Sequence, residues 1–154
     1  MTALTLQNPV FATYAIAAAL MILKMMGQGW MTVYRMLKIS SGWASPEDLQ
    51  AGLINRNPHA AQLERNDYVD RSRRIHRNDL ENIPAFLACG LLFVLADPSL
   101  LLAQILMYGF VATRLVHTLV YATKQSHEVR ASFYTVGSVI VIVMALYMLV
   151  AALR

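Results

Sequence analysis

The apolar positions of this 154-residue chain fall into four runs separated by polar segments, and each run has the length of a membrane crossing. A transmembrane helix needs roughly 20 mostly apolar residues. The first run starts at Pro9 and reaches about Tyr34, interrupted only by Lys24. The second, Asn82 to Ala96, is short. Its helical pattern extends backwards through charged residues to about Asp67, so this helix is expected to project from the bilayer. The third run, Pro98 to Tyr121, contains Arg114, and the fourth, Ala131 to Leu153, has no charged residue. The pattern predicts an all-α fold, an integral membrane four-helix bundle forming one transmembrane domain over 1–154. Its helices are expected at about 9–37, 66–96, 98–123 and 128–153. The connection at about 38–65 carries the breakers Gly42, Pro46, Gly52 and Pro58, and Asp97-Pro98-Ser99 makes a tight turn between the second and third helices.

Composition agrees with that pattern. The chain is 57% hydrophobic and 14% charged, whereas soluble domains are about 45–50% apolar and about 25% charged. The net charge of +4 would suit nucleic acid, but the basic residues gather at the ends of apolar runs, so no nucleic-acid partner is expected. Arg35, Lys38, Arg56, Arg65, Arg71, Arg73, Arg74 and Arg77 lie in or beside the first connection. The positive-inside rule puts that connection and the third in the cytoplasm, with both termini and the Asp97 turn on the other side. The membrane is expected to be a bacterial inner membrane or the endoplasmic reticulum, depending on the source. Cys89 is the single cysteine, so no intrachain disulfide can form, and no metal-ligating constellation is visible.

Ionisable groups at membrane depth cost about 2.5–3.5 kcal/mol each on insertion scales, so each calls for a partner or a purpose. At 100° per residue, Asp70, Arg74, Arg77, Asn78 and Glu81 fall on one stripe of the second helix. Arg114, His117 and Tyr121 share a face of the third helix. Arg130 and Tyr134 stand one turn apart at the start of the fourth. All three groups lie at the cytoplasmic ends of their helices. Together they suit a small, flexible, multiply charged anion: Arg grips carboxylates bidentately, Glu accepts from an ammonium, and Tyr and His add directional hydrogen bonds. Glutathione needs this mixed inventory, and a nearby Arg would favour its thiolate. The same residues have plainer uses. The arginines can snorkel to lipid headgroups, Glu81 with Arg114 can be a buried packing pair, His117 can be a core histidine, and Lys24 can snorkel or pair with a carboxylate. Spacing alone leaves these open.

The run Asp70-Arg-Ser-Arg-Arg-Ile-His-Arg-Asn-Asp-Leu-Glu81, followed by Asn82-Ile83-Pro84, resembles the signature of the MAPEG superfamily, membrane-associated proteins in eicosanoid and glutathione metabolism. Three further blocks agree, in the same order: Lys24-Met25-Met26, Ala44-Ser45-Pro46-Glu47-Asp48, and Arg114 through Tyr121. The resemblance covers nearly the whole chain. It implies a homotrimer of four-helix protomers that binds glutathione, as co-substrate, between neighbours on the cytosolic side. The lipophilic small-molecule substrate would arrive through membrane lipid. The implied glutathione-binding residues are Arg35 (aligned after a one-residue gap, and reaching in from the adjacent protomer), Arg74, Arg77, Asn78, Glu81, Arg114, His117, Tyr121, Arg130 and Tyr134. The implied catalytic residues are Arg130, matching the arginine held to stabilise the thiolate, and Asp48, matching an aspartate proposed to assist in the prostaglandin-synthase branch.

The branches differ at informative positions. Arg77 and Tyr134 resemble the prostaglandin-synthase branch. Ala131, where that branch has serine, and the connection through His59-Ala60-Ala61-Gln62 resemble the transferase branch. Leu49 stands where the mammalian transferase has cysteine. The expected activity is glutathione transfer to lipophilic electrophiles, or reduction of their hydroperoxides. A prostaglandin E synthase-like isomerase and a non-catalytic lipid-binding scaffold are the alternatives within the same superfamily.

Overall fold

In the computed structural model, which describes residues 4–154, the chain forms four long helices and two short 3₁₀ turns; residues 1–3 of the expected domain lie outside the described part. The helices are α1 (Pro9–Ile39), α2 (Asp67–Leu95), α3 (Leu100–Ala122) and α4 (His127–Ala152). Each is long and apolar enough to cross a membrane, and no strand occurs among the described residues. The protein is a multi-pass membrane protein.

Local chemistry sets where the helices begin. Asn8 caps α1 by accepting from the Val10 amide at 2.9 Å, with Pro9 at the first helical position, where a missing N–H costs nothing. Asn66, Ser99 and Ser126 cap α2, α3 and α4 in the same way. The chain leaves α1 through Ser40 in the left-handed region, and Gly42 follows at φ +72° with its Cα against the Val69 side chain. A Cβ there would be strained by φ and crowded by valine.

The helices pack so that α2 and α3 form the centre. Helix α1 lies against α2 and α3, α4 lies against the same two, and α1 and α4 do not touch among the described residues. Phe86 and Phe110 stack with centroids 4.2 Å apart, and Phe93 meets Tyr147 edge-on at 5.1 Å. Ala17, Met21, Ala103, Met107 and Met144 fill the space around them. Lipid tails are as apolar as leucine, so this core holds by close packing rather than by escape from water. Gly90 shows how close: a Cβ on it would lie 2.8 Å from the Tyr14 ring, which is pinned by its hydroxyl donating to the Leu87 carbonyl at 2.8 Å. The outer surface is apolar too, with Leu23, Trp30, Leu101 and Leu119 all mostly exposed.

The first connection is more ordered than a polar stretch with breakers suggests. Its organiser is buried Gln62, whose amide donates to Ser40 Oγ (2.8 Å) and accepts from Asn55 Nδ2 (2.8 Å), while its carbonyl accepts from the Trp43 amide (3.0 Å). Arg73 ties the connection to α2 by donating to the Gly42 carbonyl. This connection and the start of α4 lie at the same end of the bundle, called here the basic end.

Candidate functional site

At the basic end a cavity of about 250 Å³, open on one side, is lined by Asn78, His117, Tyr121, His127, Arg130, Ala131 and Tyr134. Three helices supply it. The first two turns of α4 deliver His127, Arg130 and Tyr134 at spacings of three and four, which puts them on one face. The last turns of α3 deliver His117 and Tyr121, and α2 delivers Asn78. The guanidinium of Arg130 lies 4.6 Å from the centre of the Tyr121 ring, and its Nε donates to the Ser126 carbonyl at 3.3 Å. A cation stacked on a phenol keeps its remaining N–H groups free for an anion. Asn78 Oδ1 and His117 Nδ1 are buried and have no hydrogen-bond partner. Buried polar atoms are normally satisfied, so these two offer unused capacity to a polar ligand.

The structure divides the remaining residues into three groups. Arg74 sits beside the cavity: it interacts with Tyr121, and its Nη2 donates to Asp67 at 2.7 Å. Arg114 lies behind the cavity, fully buried, with Nη2 donating to the Phe133 carbonyl at 3.2 Å and its Cζ 5.8 Å from the Tyr134 ring. It does not line the cavity surface. Away from the cavity, Arg77 and Glu81 are exposed on the outward flank of α2. Arg35 donates to the Tyr68 carbonyl at 3.0 Å and stacks on the Tyr68 ring. Asp48, in the connection, accepts from the Ala44 and Ser45 amides at 3.1 and 3.0 Å. The α2 stripe is thus split between its flanks, and Asp70 has left it to bond Arg65 and Arg73. Glu81 does not meet Arg114.

Two site features escaped the sequence reading. One is His127, whose signal was its i, i+3 relation to Arg130. The other is Asp79, fully buried on α2 and in direct contact with Lys24 of α1. Its signal was available as well. Asp79 continues the buried stripe Ser72, Ile75, Asn82, Phe86 at helical spacing, and an isolated lysine in an apolar helix calls for a carboxylate.

Four apolar helices, each able to cross a membrane, with an arginine-bearing polar cavity at one end define an integral membrane four-helix protein. The chain belongs to the MAPEG family, whose model matches residues 13–150. It is 36% identical over 141 residues to the microsomal glutathione S-transferase 1 of Bos taurus, covering 91% of this chain and 89% of that one. With the human protein of the same name it shares 35% over 142 residues, at the same coverages. With the prostaglandin E synthase of Equus caballus it shares 32% over 143 residues, covering 92% and 88%.

Proposed function

We propose that the chain is a membrane-bound glutathione transferase and peroxidase, with Arg130 holding the glutathione thiolate in the basic-end cavity. The observation that carries this reading is the stacked guanidinium of Arg130, lining one cavity with Asn78 and His117, whose Oδ1 and Nδ1 are unpartnered. Glutathione enters from the cytoplasm, the side that the positive-inside rule assigns to the basic end. Its peptide part donates to Asn78 Oδ1 and exchanges hydrogen bonds with His117, Tyr121 and Tyr134, with Arg74 available to a carboxylate. The sulfur, having given its proton to water, lies against Arg130.

The substrate arrives through the bilayer. With an electrophile, the thiolate forms a carbon–sulfur bond as the leaving group departs with its electron pair. With a hydroperoxide, the thiolate attacks the outer oxygen as the O–O bond breaks, giving a sulfenic acid and an alkoxide that takes a proton from water to leave as an alcohol. A second glutathione then converts the resulting sulfenic acid to a disulfide and water. The cavity is open on one side, and Arg77, Glu81 and Arg35 have no role within it. A neighbouring copy in a homotrimer would close the cavity and bring such groups to the ligand.

A prostaglandin E synthase-like isomerisation is the second reading, favoured by Arg77, Tyr134 and Asp48. Ala131 weighs against it. That residue lines the cavity with a methyl group where the synthase branch supplies a hydroxyl, and the Asp48 carboxylate is occupied by backbone amides.

The test is Arg130→Ala. Loss of one preorganised charge-stabilising donor typically costs about 10²–10³-fold in kcat. We expect that loss in conjugation of a chloronitrobenzene, with glutathione affinity largely retained. Unchanged turnover would remove Arg130 from the thiolate.

A further inference from the structure

Behind the cavity, all four helices contribute to one buried polar layer. Lys24 of α1 and Asp79 of α2 form a direct ion pair, with side chains 10% and 0% exposed. Arg114 of α3 is fully buried and interacts electrostatically with Asp79, yet no hydrogen bond joins them, for Asp79 Oδ2 and Arg114 Nε and Nη1 all lack partners. Helix α4 makes room with Gly137, where a Cβ would lie 3.3 Å from Arg114 Nε and Nη2. Two cations and one carboxylate leave one positive charge uncompensated. It sits in a medium that screens weakly, one ring's distance behind the cavity wall, since Tyr134 lines the cavity and lies 5.8 Å from Arg114.

The roles of the three residues follow from that count. Lys24 engages Asp79 and so keeps it from neutralising Arg114. Asp79 in turn prevents two bare cations from facing each other across the bundle. Resting on the reading that the cavity holds a glutathione thiolate, we propose that Lys24 and Asp79 are positioning residues that set the field on the sulfur from outside the cavity. Lys24 strengthens, and Asp79 limits, the preference for an anion there.

The sign pattern makes this testable, because a structural pair would shift binding the same way whichever partner is lost. The readout is the ratio of affinities for glutathione sulfonate, charged at the sulfur position, and S-methylglutathione, neutral there. Calorimetry on purified protein at one pH supplies both. A unit charge roughly 10 Å from an anion at an effective dielectric constant of about 20 changes affinity on the order of tenfold. Lys24→Met should lower the sulfonate preference by that order and Asp79→Asn should raise it. The double variant, with the same net charge as the parent, should return to within about twofold of it. Should Lys24→Met not fold, Asp79→Asn, whose amide oxygen still accepts from Lys24, carries the test of sign.

Equal ratios in all variants, shifts of one sign in both single variants, or a double variant that stays shifted would each overturn the proposal while leaving glutathione binding in place. If the parent protein bound neither ligand, the glutathione reading would fall together with this one.

Discussion

The same four helices are held together differently at their two ends. Towards the Asp97 turn, contact is by shape: Phe93 on Tyr147, Tyr14 on Gly90, and Ala17 and Ala103 among methionines. Towards the basic end it is by polar pairing: Lys24 with Asp79, Gln28 with Ser72 at 2.8 Å, and Ser72 with Thr32 at 2.9 Å. Among the described residues, every buried side-chain nitrogen or oxygen without a partner lies in the second half, on Arg35, Trp43, Asn78, Asp79, Arg114 and His117. Unsatisfied groups are costly in lipid, where no water competes for them. The shape-packed half carries none and can serve as the frame. The polar half keeps unused hydrogen-bonding capacity around a cavity, which is what a ligand site requires.

This contrast can be broken hardest at Lys24. Lys24→Met takes away the one side chain in direct contact with the buried Asp79 carboxylate and leaves it only the unbonded Arg114, and breaking a buried pair by removing one partner costs about 3–5 kcal/mol. We expect thermal unfolding in mild detergent to shift down accordingly. Most of the loss should return in Lys24→Met/Asp79→Asn, which removes the stranded charge. A single variant as stable as the parent would mean that Arg114 or water takes over the Asp79 carboxylate in full, and the Lys24 pairing would not be what holds this half together.

Gly90 probes the other half, with a smaller effect. The methyl of Gly90→Ala would meet the Tyr14 ring at 2.8 Å. Overpacking of this kind costs about 1–3 kcal/mol, and better helix propensity returns about 1 kcal/mol. The expected net loss is about 1 kcal/mol, read in the same unfolding assay with glutathione affinity unchanged. Loss of binding at full stability would show that the frame and the site are not separable.

How far the two halves were legible in the sequence follows the same division. The shape-packed half announces itself: α4 carries no charge between Arg130 and Arg154, and such a run has few alternatives to a membrane crossing. The polar half is harder because a helical stripe about 100° wide has two flanks, and spacing does not say which one faces inward. Asn78 lies on the inner flank, while Arg77 and Glu81 lie on the outer one. Asp79, hidden in the polar run Arg77-Asn78-Asp79-Leu80-Glu81, becomes visible only when its phase is matched to Ser72, Ile75 and Phe86. Asp70 shares the stripe of Arg74 but bonds Arg65 and Arg73, a choice among neighbours that periodicity does not contain. The ordering of the first connection around Gln62 depends on contacts with Ser40 and Asn55 and was likewise out of reach.

The smallest effect is expected where the polar half meets water. Asp67, itself exposed, receives hydrogen bonds from both Arg71 and Arg74. Arg74 also interacts with Tyr121 at the cavity, so on the proposed function Asp67 would compete with a cavity anion for one guanidinium. Asp67→Asn removes the charge that holds Arg74 away and leaves the Asn66 cap of the helix in place. Exposed pairs of this kind are weak, so glutathione should bind only about two- to threefold more tightly in low salt. The gain should shrink as ionic strength rises and the Debye length falls towards about 3 Å at 1 M salt. Titrations of parent and variant at two salt concentrations measure both effects. Weaker binding in the variant would mean that Asp67 orients Arg74 towards the ligand rather than restraining it, and Asp67 would then belong to the site.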